Sequence, residues 1–108
     1  MKFKETSVST QKEILKRKLG GELLEEITLH DEAFTNGVCK AGNPISKEGK
    51  VDNATAPIGL LLNDVYKENP NGTIVRAFAC VNEKNANENA GITLAETVKS
   101  KLSNIVFE

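Results

Sequence analysis

Residues 72–81 read GTIVRAFACV, and what they form decides the fold. Thr73, Ile74, Val75 and Val81 are β-branched, Phe78 is aromatic, and the run is bounded upstream by Pro70, Asn71 and Gly72. Such composition favours a strand that packs on at least one face. A second stretch, APIGLLLNDVY at residues 56–66, carries a short apolar run bounded by Pro57 and by Asn63-Asp64. KENPNG joins the two as a polar connection containing Pro and Gly, so the simplest pairing is antiparallel, with Asn71 and Gly72 as turn residues. These two strands are expected at the centre of the core.

Working outward toward the N-terminus, LLEEITLH alternates at Leu23, Glu25, Ile27 and Leu29 as a half-buried strand does. AFTNGVCK places the turn dipeptide Asn36-Gly37 between Phe34 and Val38, and KAGNPIS and KEGKV add turns at Gly42, Pro44 and Gly49. Only short strands fit between these turns. Toward the C-terminus, NEKNANENAG reads as a loop or a frayed helical turn. Thr93 then caps LAETVKSKL with Glu96 at the third helical position, and Leu94, Val98 and Leu102 share one face. NIVFE is a terminal strand. The expected fold is mostly β (α+β): one small domain over residues 22–108, a β sandwich or barrel-like body with one short C-terminal helix, preceded by a basic N-terminal arm over residues 1–21.

The arm differs from the body in charge. Residues 1–20 hold six bases and two acids, net +4, whereas the rest holds eight bases and thirteen acids, net −5. Thr10 and Glu13 have capping-box spacing ahead of Ile14, Leu15 and Leu19, and Gly20-Gly21 would end the resulting helix. A helix this short is marginal in water, so its order should depend on what it packs against. A protein of 108 residues builds a modest core, and a partner surface adds useful stability. Its 39% apolar and 27% charged residues describe neither a disordered nor a membrane protein. No apolar run approaches the roughly 18 residues of a span, and MKFKETSVST lacks a signal-peptide core, so a cytoplasmic protein with reduced thiols is expected.

Reactive chemistry finds little support. A Walker loop needs four residues between its glycines and a hydroxyl residue after the lysine; Gly42 and Gly49 are separated by six residues, and Val51 follows Lys50. Cys39 has turn residues after it and only His30 as a candidate base, while Cys80 sits in an apolar strand where cysteine packs as a small hydrophobe. One histidine and two separated cysteines lack the paired spacings of structural zinc. Glu25 and Glu26 face opposite ways on a strand, so they do not share a proton. The sequons at Asn53 and Asn71 carry weight only in a secreted protein. The arm could touch nucleic acid, but Phe3 is its one stacking residue and the body is acidic. No catalytic, cofactor or metal site is therefore expected, and neither is membrane binding.

In order, VCKAGNPISKEGKV, APIGLLLNDVY, NPNGTIVRAFACVN, a short helix and NIVF resemble the head decoration or head fiber proteins of tailed bacteriophages and prophages. The resemblance covers about residues 33–108. In that pattern a KAG-x-P-[IL] turn leads into an IGLL-x-DV strand, and a G-T-[IV] strand carries a buried aromatic, here Phe78. It implies a non-enzymatic virion protein without cofactors, bound to the outside of the major capsid protein lattice, commonly as a trimer, after assembly in the host cytoplasm. Gly42, Pro44 and Gly49 then shape a scaffold. By analogy with the arms of lambda-like decoration proteins, the attachment element is Lys12, Ile14, Leu15, Lys16, Arg17, Lys18 and Leu19. The leucine-rich segment from Leu15 to Leu29 departs from the pattern. An alternative is a small phage or bacterial regulatory or ligand-binding β domain whose basic arm contacts nucleic acid; a third, a thiol enzyme using Cys39, requires a readily alkylated thiol.

Overall fold

Nine strands, one 3-10 turn and two helices follow one another among residues 13–17 and 21–108, the residues that this computed structural model describes. They are β1 (Leu15–Arg17), β2 (Leu23–Thr28), the 3-10 turn (Asp31–Ala33), β3 (Val38–Cys39), β4 (Pro44–Ser46), β5 (Pro57–Leu61), β6 (Val65–Tyr66), β7 (Asn71–Ala77), β8 (Ala79–Val81), α1 (Glu83–Ala90), α2 (Glu96–Lys101) and β9 (Ile105–Phe107). The β-branched run of 72–81 does build the centre. β7 lies between β2 and β5 in a four-stranded antiparallel sheet of order β2-β7-β5-β4, with Leu60 opposite Val75 and Leu61 opposite Ile74.

Because side chains alternate along a strand, successive residues of β5 and β7 feed opposite faces of this sheet. Leu60 and Val75 join Ile14, Ala79, Val81, Ala86, Leu94, Val98, Leu102 and Ile105 in one buried cluster. Leu61 and Ile74 join Leu29, Ala33, Cys39, Ile45 and Val65 in another. Both faces therefore bury apolar residues. Covering the first face are α1, α2 and a three-stranded sheet in which β8 pairs antiparallel with β1 and parallel with β9; covering the second is the small β3–β6 pair. The whole is a compact, mostly-β single domain with mixed sheets and two C-terminal helices, and its 13.3 Å radius of gyration suits its length.

A single residue separates β7 from β8. Phe78 has φ +59°, the left-handed region that a bulky side chain rarely enters, and it ends one ladder and starts the next. Its N–H donates to the Asn104 carbonyl at 2.7 Å, which fixes the break against the strand that follows α2. The expected buried aromatic is consequently an exposed one, 58% accessible.

Other expectations also change. Two helices are present where one was expected, and the sheets are separate, with none closing on itself among the described residues. NEKNANENAG forms α1: Asn82 accepts from the Asn85 N–H as its N-cap, and Gly91 ends it in the left-handed conformation. α2 starts later than Thr93 predicts, since Asn53, not Thr93, satisfies the Ala95 N–H at 3.1 Å. Asn71, Gly72 and Pro44 lie in strands. Leu15 begins a strand instead of extending a helix from Thr10, and Ile14 is 2% exposed in the first cluster. The division between arm and body at residue 21 therefore does not hold at Ile14–Arg17, where the N-terminal segment supplies a strand of the body's own sheet. Thr10, Lys12, Lys18 and Leu19 lie outside the described residues.

Two substitutions test this packing. Gly42 has φ +98°, and a Cβ there would lie 2.5 Å from the Ala86 carbonyl oxygen in α1. Gly42→Ala should cost about 2–4 kcal/mol from left-handed strain plus overpacking, read as a lower urea midpoint. Ile14→Ala should cost about 2–5 kcal/mol by the same measurement. A mobile arm residue would cost almost nothing.

Candidate interaction surface

Both cysteines are buried, and the histidine caps a turn. Cys39, in β3, is buried in the second cluster, and loss of solvent, reinforced by the nearby Asp64 carboxylate, pushes its thiol from 9.0 up to about 11. That is opposite to the thiolate stabilisation a nucleophile needs. His30 is exposed, and its Nδ1 accepts from the Glu32 N–H, capping the 3-10 turn. No group of three or more His, Cys, Asp or Glu side chains suited to a metal occurs among the described residues.

Around the KAGNP turn the polar groups serve the backbone. Asp64 accepts from the Ala41 N–H at 2.8 Å, from Asn89 Nδ2 at 3.1 Å and from Lys40 Nζ at 3.4 Å. Asn89 Nδ2 also donates to the Ala41 carbonyl, and Asn43 Nδ2 to that of Lys40. Gly42 fits its backbone against α1 in the space this leaves. On the following loop Asp52 accepts from the N–H groups of Ala54, Thr55 and Ala56, which hold its carboxyl below the usual range, the Thr55 bond contributing most. A cleft of about 480 Å³ beside the turn includes Cys39, Lys40, Val51 and Ile92 in its lining. Its lysine is engaged by Asp64 and its thiol is shielded, whereas Glu32 and Asn36 on the same lining are exposed.

A different feature stands out at the strand switch. Leu23, Leu24, Phe78 and Val106 are large apolar residues, each about half exposed. Leu23 pairs with Ala77, next to Phe78; Val106 pairs with Cys80, two residues beyond it. The register shift between Leu23 and Leu24 places them opposite Ala77 and Val75 in turn. Those partners are two residues apart and share a face, so the bulge turns both leucines to the same side. β2 and β9 are the outer strands of their sheets, with Glu25 held to Arg76 Nη1 at 2.7 Å on the β2 side. Four large apolar residues are thus exposed on strands that adjoin the junction of the two sheets.

Of the sequence-expected attachment residues, the described ones differ in their settings. Ile14 is in the core and Leu15 is half-buried against it. Lys16 Nζ lies 3.7 Å from Glu108, and Arg17 pairs with Cys80 through the backbone. The leucine doublet ahead of Glu25-Glu26 is a visible irregularity in the alternation; nothing in GTIVRAFACV marks Phe78 as exposed. No family model, curated protein or solved structure matches this protein.

The shifted thiol has a measurable consequence. Its native value is raised, so full stability holds below pH 9.0, and stability falls as the unfolded state ionises first between there and about 11. The loss should reach about 2 kcal/mol in denaturant melts, and Cys39→Ala should remove that part of the pH slope. Alkylation at neutral pH should be slow until the protein unfolds.

Proposed function

We propose that this protein is a non-enzymatic structural component of a tailed-phage virion, a head decoration or head fiber protein that binds the outer surface of the major capsid protein lattice and associates as a trimer. The observation carrying this reading is the order of VCKAGNPISKEGKV, APIGLLLNDVY and NPNGTIVRAFACVN, which supply β3 to β8 and the turns between them. The resemblance thus falls on the elements that build the core. It is supported by the way Asp64, Asn89 and Asn43 are engaged in holding the KAGNP turn, while large apolar residues are left exposed about the strand switch. A protein that works by contact rather than turnover has this distribution.

Attachment through Lys12, Lys16, Arg17 and Lys18 remains part of the proposal, but Ile14 and Leu15 act by packing β1 onto the body. Truncation beyond residue 13 would consequently remove a core residue along with the charge. The alternative, a regulatory β domain with a nucleic-acid-contacting arm, predicts a gel shift whose affinity falls steeply with salt, which a decoration protein does not give.

Phe78→Gly discriminates a contact residue from a merely strained one. Glycine enters the left-handed region without steric cost, so this variant should unfold at the same or higher urea concentration than the parent. It should nevertheless lower the mass measured by light scattering toward the monomer, or reduce co-sedimentation with undecorated capsids, and Leu23→Ser should do likewise. Unchanged assembly and capsid binding in both variants would move the contact elsewhere; a steep salt-dependent gel shift would replace the reading.

A further inference from the structure

The sequence contains two Asn-Gly dipeptides, Asn36-Gly37 and Asn71-Gly72, chemically alike and held in opposite surroundings. We propose that Asn36-Gly37 is a site of spontaneous covalent modification, converted by way of a succinimide into aspartate and isoaspartate with water as co-reactant, and that the fold protects Asn71-Gly72 from the same reaction. In the first step the Gly37 backbone nitrogen attacks Asn36 Cγ. A bond forms between these two atoms, the bond from Cγ to Nδ2 breaks, and ammonia leaves with the proton that the backbone nitrogen gives up. Water then opens the ring: attack at Cγ yields aspartate, and attack at the backbone carbonyl of residue 36 yields isoaspartate. Nothing is oxidised or reduced.

The reaction needs a free carboxamide, a free N–H on the next residue, little crowding there and backbone freedom to close a five-membered ring. Asn36-Gly37 meets each condition. Both residues are exposed, and a Cβ built on Gly37 would meet nothing within 4 Å. Neither the Asn36 carboxamide nor the Gly37 N–H makes a hydrogen bond to any described residue; Gly37 is held through its carbonyl, which accepts from the Lys67 N–H at 3.0 Å. Their φ values of +56° and +80° form a two-residue hairpin turn with an asparagine in the left-handed region. The two Thr35–Val38 backbone bonds, at 2.9 and 3.2 Å, close this turn, and β3 beyond it is two residues long. Opening it is a local event.

Asn71-Gly72 is held on every count. The Asn71 carboxamide accepts from Thr28 Oγ1 at 2.8 Å and donates to Asn69 Oδ1 at 3.3 Å. Gly72 stands opposite Ile27 in the β2–β7 ladder. Leu29 donates to the Pro70 carbonyl at 2.8 Å, and bonded pairs alternate along an antiparallel ladder, so the Ile27–Gly72 pair is bonded and holds the Gly72 N–H. Ring closure there would pull the central strand away from its neighbour. Isoaspartate at residue 36 would add a backbone carbon to a two-residue turn, so the Thr35–Val38 bonds and the Lys67–Gly37 bond could not all survive.

The two dipeptides fall in different tryptic peptides, which makes each the other's control. Folded full-length protein is held at mildly alkaline pH and physiological temperature, digested at intervals, and followed by mass spectrometry, with isoaspartate scored by enzymatic methyl transfer. The Asn36 peptide should convert at least about tenfold faster than the Asn71 peptide. In denaturant the two rates should converge, showing that the fold sets the difference. Comparable rates in the folded protein would overturn the proposal. So would an unreacted Asn36 over a period in which the denatured protein is converted.

Discussion

The structure depends on a backbone break at Phe78. One apolar run of sequence supplies the central strand of two sheets, β7 in the four-stranded sheet and β8 in the three-stranded one, and this is possible only because the backbone changes direction between them. A continuous strand would have kept Ala79 and Val81 on the ladder of the larger sheet. Instead they turn to meet Ile105 and Phe107 of β9 and Leu15 of β1, closing the first cluster from a second side. A bulky residue held at φ +59° costs on the order of 1–3 kcal/mol. Ladders on both sides and the Phe78–Asn104 bond over-determine it.

With the strand redirected, the rest of the first face has to be roofed, and α1 does so in an unusual way. Its buried contribution is Ala86 alone. What attaches it is a series of asparagines: Asn82 caps it, Asn85 donates to the Glu13 carbonyl, Asn87 accepts from the Leu94 N–H, and Asn89 reaches the Ala41 carbonyl and Asp64. Each such bond is worth about 1 kcal/mol net, but each would leave a polar partner unpaired if removed. α2 is tied to α1 by Lys99, which sits 2.9 Å from Glu83 and 3.1 Å from Glu96; the bonds to these carboxylates, Glu83 first, raise its pKa.

This division between apolar burial and long-range polar bonds explains what could be read in advance. β2, the β5–β7 pair, the Asn36-Gly37 turn and β9 were legible because their signals are local: β-branched composition, alternation, a turn dipeptide. α1 was not, since asparagine has poor helix propensity and its bonds here run to residues 41, 13 and 64. The same holds for the start of α2, where Asn53 binds Thr93 and Ala95 from forty or more residues away and displaces a cap that looked sound in sequence. Around Ile14, pairing with β8 and burial won over a capping-box pattern. Of the candidate surface, only the leucine doublet left a trace; the exposure of Phe78 follows from a dihedral angle that no composition reports.

That exposure bears on what the surface is for. The switch needs a residue at positive φ, and glycine or asparagine would occupy that conformation at lower cost. Glycine is used where space or angle demands it, as at Gly42 against α1. Residue 78 is instead phenylalanine, with 58% of its surface open to solvent and little burial to offset the strain. The buried part of the ring and the strain at φ +59° are of similar order, so the isolated domain gains little from an aromatic residue here. The proposed contact outside the domain would give it a use: an aromatic ring held on a rigid junction between two sheets loses little entropy on binding and brings a large apolar area to a partner. The break that organises the core therefore also presents the residue best suited to be buried by something else.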